Sequence, residues 1–490
     1  MGRFIISIII LTTSLLAQHF ERWVYLPDKD RWFPYYSSSF GWDGQEKLYI
    51  GGSGSDSLER SVLVYNLRTD RFKGIPIREG RPVEYLVYNP RTNLTYAFSY
   101  GDYPISVIDC ERDTFILDLP YYVKIPHWPL PPGFVVNSLD NKLYFGNRLD
   151  NGLYILSGSH HNVLRTYPRE FLPVIYDSIN NKIGLIREDS LQGMNFYLLD
   201  GRTDELIDSC LFSRISFLQK IVFNQNNKII YFLGSDSTTN NDSLWVYSYD
   251  MTWNRVLDSL QTPFLGGFYL WFLDVNTINN KVYLGVVVED SPLDYLFYIL
   301  SESLRVIDSI TDWWFPNISF FNPQQNILYI PDADRIHLID GETNRLSGFI
   351  PLNEDIDELE NFILLPRYNL FYLKTSYGLS VIDLERRSLI KRIKMRHTAE
   401  WNNMTYNPLT ERLYCTVYPG LSIIDEPTGN LDPMISLEII RLFQEINDKG
   451  TTVIMATHNH NLVNKLRKRV VALVEGKIIK DEPFGTYAYE

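Results

Sequence analysis

Residues 379–390 read LSVIDLERRSLI. A short apolar run ends in an acid, a polar turn follows, and a second short run closes the phrase. This is the text of two brief β-strands joined by a tight reversal. The same phrase stands at 105–109 as ISVID, at 196–200 as FYLLD and at 336–340 as IHLID, the last followed by the polar turn GETNR. Each copy is preceded by another turn-and-strand phrase: GQEKLYI, RTNLTYAF, DNKLYFG, NNKIGLI, NNKIIYF, NNKVYLG, QQNILYI, RYNLFYL and TERLYCT. Their marker positions are Tyr49, Tyr96, Tyr144, Gly184, Tyr231, Tyr283, Tyr329, Tyr372 and Tyr414. An extended stretch such as PPGFVVN precedes each turn. Four short strands per unit of roughly 40–50 residues is the blade pattern of a β-propeller.

The fold class expected is therefore mainly β, a propeller of about eight four-stranded blades over residues 18–424, with seven or nine also allowed. Eight units are complete and the ninth stops after LSIID. The stretch ERWVYLP at 21–27 could supply the missing outer strand, because a propeller closes by pairing its chain ends within one blade. The marker Tyr is expected half-buried between stacked blades, and the terminal Asp is expected to cap the turn that follows it. NPRTNLTYAF and ISVID together resemble the YVTN-type secreted propeller repeats, over roughly residues 34–424. That resemblance implies a fold and leaves the ligand open.

At 421–433 the chain reads LSIIDEPTGNLDP, which opens like the repeat and ends differently. Beyond Asp425, Ile435, Ile439, Leu442, Phe443 and Ile446 fall at helical spacing before Gly450. Helices are expected over 434–448 and 459–468, with a strand in TTVIMA between them. RVVALVEGKIIKDE reads as a hairpin turning at Glu475 and Gly476. IIDEPTGNLDP, GTTVIMATHN and this hairpin resemble the C-terminal part of an FtsE-like cell-division ABC ATPase, over residues 425–490. The resemblance implies that Asp425 holds Mg²⁺ through water and that Glu426 polarises the attacking water. It places Asn430 and Asp432 in the loop facing a partner subunit, and His458 at the γ-phosphate.

An ATPase of this kind also needs a G-x-x-x-x-G-K-[ST] loop whose amides cradle the phosphates. That motif does not occur in the chain, and Gly476-Lys477 continues into Ile478. LSG at 346–348 is broken as a signature loop by Phe349. ATP and Mg²⁺, with an FtsX-like membrane partner, would be expected only if another chain completed the fragment. The text reads as two unrelated sequences joined where both spell IID, and a chimeric reading frame explains this better than an evolved fusion.

The composition narrows the rest. The chain has 490 residues, too many for one ordinary core, and 59 acidic against 46 basic residues give a net charge of −13. That balance argues against nucleic-acid binding. With 14% aromatic residues the chain reads as well packed. Arg3, the apolar stretch from Phe4 to Leu16 and Ala17 resemble a secretory signal peptide over 1–17; an uncleaved anchor or a buried strand is the other reading. Export would place the protein outside the cell, in the periplasm or on the cell surface, whereas the ATPase alternative would place it on the cytoplasmic face of the membrane. No later segment is long and apolar enough to span a bilayer. Cys110, Cys210 and Cys415 form neither a metal cluster nor a disulfide framework.

The function expected is a binding or scaffold module with a protein, peptide or glycan held by loops around residues 100–104, 148–151, 235–242 and 289–295. The second alternative is an enzyme with a site in the central funnel. His160 and His161 are expected to be solvated in a loop.

Overall fold

The computed structural model describes most of residues 47–393 apart from short connecting segments, and beyond them residues 7–11, 22–25, 32–33, 40–42, 404–407, 412–417, 420–424, 454–456, 468–474 and 477–482. Among the described residues there is no helix, and the structure is mainly β. By contacts the chain divides into two compact units, one of residues 24–409 and 414–421 and one of residues 1–23, 410–413 and 422–490.

The repeat becomes a series of four-stranded sheets. Eight follow one another over residues 40–76, 85–122, 134–167, 172–212, 217–261, 272–313, 320–351 and 361–393. A ninth combines strands Met404–Asn407, Arg412–Val417 and Gly420–Ile424 with Arg22–Tyr25 from near the start of the chain, which lies next to Gly420–Ile424. Nine propeller-like sheets stand among the described residues, one more than the eight expected and within the seven to nine allowed, because the unit that stops at Ile424 takes its fourth strand from residues 22–25, in the stretch expected to supply it. The first strands of neighbouring sheets run against one another, as Phe134–Asn137 does against Leu172–Asp177 and Phe217–Asn224 against Phe272–Val275.

Among the described residues the buried apolar side chains gather in clusters rather than in one central core. Apolar residues are buried between consecutive sheets, because each sheet is apolar on both faces and its neighbours cover both. Leu172, Ile186 and Phe196 of the fourth sheet pack on Leu218, Ile230 and Phe232 of the fifth. Leu233 and Val246 of the fifth pack in turn on Leu273 and Leu284 of the sixth.

The turns explain why the repeat is spelled as it is. In the second to eighth sheets the residue ending the turn before the second strand has a positive φ: Asn93, Asn141, Asn181, Lys228, Asn280, Asn326 and Asn369. The turn before the fourth strand repeats this at Asp113, His161, Asp204, Asn254, Leu304, Asn344 and Arg387. Asn and Asp tolerate that left-handed conformation better than other side chains. The terminal Asp caps as expected: Asp340 Oδ1 accepts from the backbone N–H groups of Glu342 and Thr343, and Asp109, Asp200, Asp250 and Asp383 do the same in their turns. A register shift falls near the end of every third strand from the second sheet to the eighth. Such bulges twist the outer strand and blunt an edge that would otherwise pair with other chains.

The marker Tyr departs from expectation in one respect. Tyr49, Tyr96, Tyr144, Tyr231, Tyr283, Tyr329 and Tyr372 are completely buried, not half-buried. Each ring fills the seam between sheets, and several hydroxyls bond across it.

The C-terminal unit contains a sheet in the order Ile454–Ala456, Ser7–Leu11, Arg469–Val474, Lys477–Glu482. Ser7–Leu11 runs parallel to both of its neighbours. Ser7–Leu11 belongs to the stretch read as the apolar part of a signal peptide, and in the full chain it pairs on both edges. Arg469–Val474 and Lys477–Glu482 form the expected antiparallel hairpin, tied by Arg469 to Asp481 at 2.7 and 2.8 Å. The helix expected over 434–448 and all but the last residue of that expected over 459–468 lie outside the described residues.

Candidate functional site

Between sheets, one constellation recurs. The Lys that opens a second strand, with the Tyr two residues later, grips the last turn of the next sheet. Lys142 Nζ donates to the Gly201 and Arg202 carbonyls and to Asp204 Oδ2 at 2.8–3.0 Å, while Tyr144 OH donates to Asp204 Oδ1 at 2.6 Å. Lys47 and Tyr49 treat Asp113 and the Cys110 carbonyl the same way. Lys281 reaches Gly341, Glu342 and Asn344. Burial, with the carboxylate partner second, holds the Tyr144 hydroxyl far above its usual range. These clasps pair buried ammonium and hydroxyl groups across the seam and so hold neighbouring sheets together.

Two members deviate. Gly184 stands where the others have Tyr because a Cβ there would meet the Phe196 ring at 2.9 Å. Lys182 still reaches Met251 O and Asn254 Oδ1. In the third sheet the clasping position is His161, whose Nε2 lies 3.2 Å from Tyr96 OH. His161 is half-buried, which corrects the expectation of a solvated pair; only His160 is exposed. Burial lowers the His161 pKa. Cys110 and Cys210 are in no disulfide among the described residues, and Cys110 is buried with its Sγ 3.2 Å from Thr95 Oγ1.

A different kind of polar group lies on the first strands. Strand Phe217–Asn224 carries Lys220, strand Phe272–Val275 carries Asp274, and Ser319 immediately precedes strand Phe320–Asn322. These belong to three consecutive sheets. Ser319 Oγ donates to Asp274 Oδ2 at 3.2 Å, and the Val275 N–H donates to Oδ1 at 2.8 Å. Desolvation pushes the Asp274 carboxyl up to about 6, opposed by these two bonds and by Lys220. Desolvation lowers the Lys220 pKa, opposed by Asp274. Both side chains are partly buried and keep some solvent contact. Sequence reasoning missed both, although a charge inside the apolar runs FLQKIVF and WFLDV is the signal that marks them.

The residues expected to carry ATPase chemistry, Asp425, Glu426, Asn430, Asp432 and His458, lie outside the described residues, as do residues 100–103, 237–242 and 289–293 of the loops expected to bind a ligand. Strand Gly420–Ile424, which leads into Asp425, is paired in the ninth propeller-like sheet. Among the described residues no cluster of His, Cys, Asp and Glu could hold a metal ion. No helix among them is long and apolar enough to cross a membrane.

No protein-family model matches the chain. The cell division ATP-binding protein FtsE of Bacillus subtilis is 37% identical over 141 residues, which cover 26% of this chain and 61% of that protein. FtsE of Streptococcus pneumoniae is 35% identical over 143 residues, 27% of this chain and 62% of its own length. FtsE of Mycobacterium tuberculosis reaches 49% identity over 72 residues, 15% of this chain and 31% of that one. The chain thus spans about three-fifths of the first two relatives, and the longer matches take in more of it than residues 425–490. Among solved structures, a eukaryotic initiation factor superposes with a TM-score of 0.50 at 11% identity, covering 73% of this chain and 88% of that one. The likeness extends to the fold alone. About a quarter of the chain is homologous to FtsE-type ATPases, and most of the remainder is a series of four-stranded sheets that fits a propeller-like fold.

Proposed function

We propose that the β body is a YVTN-type exported binding or scaffold module and that the FtsE-like segment is a non-autonomous piece without ATPase activity of its own. The observation that carries this reading is the missing phosphate cradle: nowhere does the sequence contain G-x-x-x-x-G-K-[ST]. In phosphoryl transfer that loop supplies the amides and the Lys that hold the nucleotide. Asp425, Glu426 and His458 act on a phosphate that something else must position, so the residues present do not suffice for Mg²⁺-ATP, and no catalytic step is assigned to them. Residues 420–424 support the same reading, because that strand is already engaged by propeller-like neighbours. Export with removal of residues 1–17 belongs to the proposal and rests on Arg3 and the apolar run after it.

The homology favours one second reading, in which another chain supplies the cradle and an FtsX-like membrane partner anchors the pair. Purified full-length protein with Mg²⁺ and ATP separates the two. The expected result is phosphate release at background, unchanged in Glu426→Gln. Turnover that disappears in Glu426→Gln would sink the proposal.

A further inference from the structure

Along the first strands, two polar side chains have unmet hydrogen-bonding capacity. Strand Phe217–Asn224 has a register shift between Leu218 and Lys220, which leaves Gln219 opposite no partner residue. A bulge of this kind re-aims side chains and recurs beside binding and active sites. Gln219 Oε1 is buried and accepts no hydrogen bond among the described residues. Lys220, next to it, makes no hydrogen bond or ion pair among the described residues, unlike the clasping Lys142, which donates to three oxygens. On the neighbouring first strand, Asp274 is held by Ser319 and the Val275 N–H and feels the Lys220 charge without pairing with it directly. Buried polar groups are nearly always satisfied, so an unsatisfied acceptor beside a deep ammonium requires an explanation.

We propose that Gln219, Lys220, Asp274 and Ser319 form the seat of a neutral polyhydroxyl ligand, an oligosaccharide in chemical class. The seat presents two acceptors, Gln219 Oε1 and the Asp274 carboxylate, and one strong donor, Lys220 Nζ. Its formal charges cancel. An anion would gain Lys220 and be repelled by Asp274, and a cation would meet the reverse. A hydroxyl group donates and accepts through one atom, so neighbouring hydroxyls of a sugar ring satisfy the ammonium and the acceptors together. Hydrogen bonds to the two charged groups carry most of the affinity. This inference rests on the reading of the β body as a binding module and gives that module a ligand class.

The test uses the full chain and three probes, maltohexaose, cellohexaose and chitohexaose, titrated by calorimetry. In parallel, reductive methylation near neutral pH is mapped by peptide mass spectrometry. At least one probe is expected to bind and to slow methylation of Lys220 relative to Lys142 and Lys281. Lys220→Met and Asp274→Asn are each expected to weaken that binding about tenfold or more, the scale of one charged hydrogen bond. Unfolding midpoints establish that both variants fold; if Lys220→Met does not, protection of Lys220 in the unaltered chain decides alone. The inference fails if none of the probes binds at millimolar concentration, if binding ignores both substitutions, or if a probe binds without slowing methylation of Lys220. Each of these outcomes leaves the phosphate-release assay untouched, so loss of the ligand assignment and loss of the non-ATPase reading are separate results.

Discussion

Asp274 and Asp204 show how one residue type takes two roles according to its neighbours. Asp204 is met by the Lys142 ammonium and the Tyr144 hydroxyl, so its charge is matched where it is buried. Asp274 has a hydroxyl, one backbone N–H and a Lys that does not touch it, and desolvation raises its pKa from 3.8 to about 6. A carboxyl whose folded pKa lies above its unfolded one contributes stability below the unfolded value and loses it as pH rises through the folded value. The window is therefore pH 4 to 6, and a shift of this size corresponds to about 2–3 kcal/mol. Asp274→Asn keeps an acceptor for Ser319 and removes the charge. Urea unfolding is expected to show the variant gaining about 2 kcal/mol over the unaltered chain between pH 4 and pH 7.5. An equal difference at both pH values would contradict the assignment. The cost of the native Asp274 at neutral pH fits a group retained for binding.

At the scale of the element, the turns couple one sheet to the next. Asn276 Nδ2, at the end of a first strand, donates to Asn326 Oδ1 of the following sheet at 2.8 Å, and the Gly341 N–H donates to Asn326 O at 2.8 Å. The two Asn side chains pass over the face of Gly341, where a Cβ would lie 2.3 Å from Asn326 Oδ1 and 2.5 Å from Asn276 Nδ2. The same arrangement joins Asn89 to Asn141 over Gly158 and Asn137 to Asn181 over Gly201. Where Met251 takes the glycine position, the turn residue is Lys228 and no Asn pair crosses it. Gly341→Ala is thus expected to cost about 2–3 kcal/mol, since it breaks a buried hydrogen bond and forces a backbone shift. Adding Asn326→Gly to it should cost less than the two single changes summed, as urea unfolding of the three variants would show; strict additivity would mean that Gly341 serves another purpose. The repeats NNK and GETNR announced turns in the sequence, but which Asn answers which Gly depends on units about 50 residues apart and becomes visible only when the sheets are stacked.

For the whole molecule, the sheet of the C-terminal unit places Ser7–Leu11 between Ile454–Ala456 and Arg469–Val474. A parallel inner strand is covered on both faces and reads as an unbroken apolar run, and so does a signal peptide. The sequence SIIIL satisfies both descriptions, and the two fates exclude each other, because removal of residues 1–17 opens two unpaired edges in that sheet. Hydrogen exchange on the full chain and on a chain lacking residues 1–17 measures this. Residues 469–474 are expected to lose protection in the shortened chain while residues 134–261 keep theirs; unchanged protection at 469–474 would show that the strand is dispensable. The sequence by itself determined the repeated four-strand unit, the capping Asp and the kinship of the tail with FtsE, because period, turn chemistry and motif spacing are local properties of the text. The text also offered residues 21–27 as the strand that completes the unfinished unit, and residues 22–25 do so. Only the tertiary structure decided that the Tyr and Lys markers clasp the next sheet and that Lys220 and Asp274 share one neighbourhood. Each of those depends on contacts between residues distant in sequence, whose partners are chosen by stacking and by the need to satisfy buried polar groups.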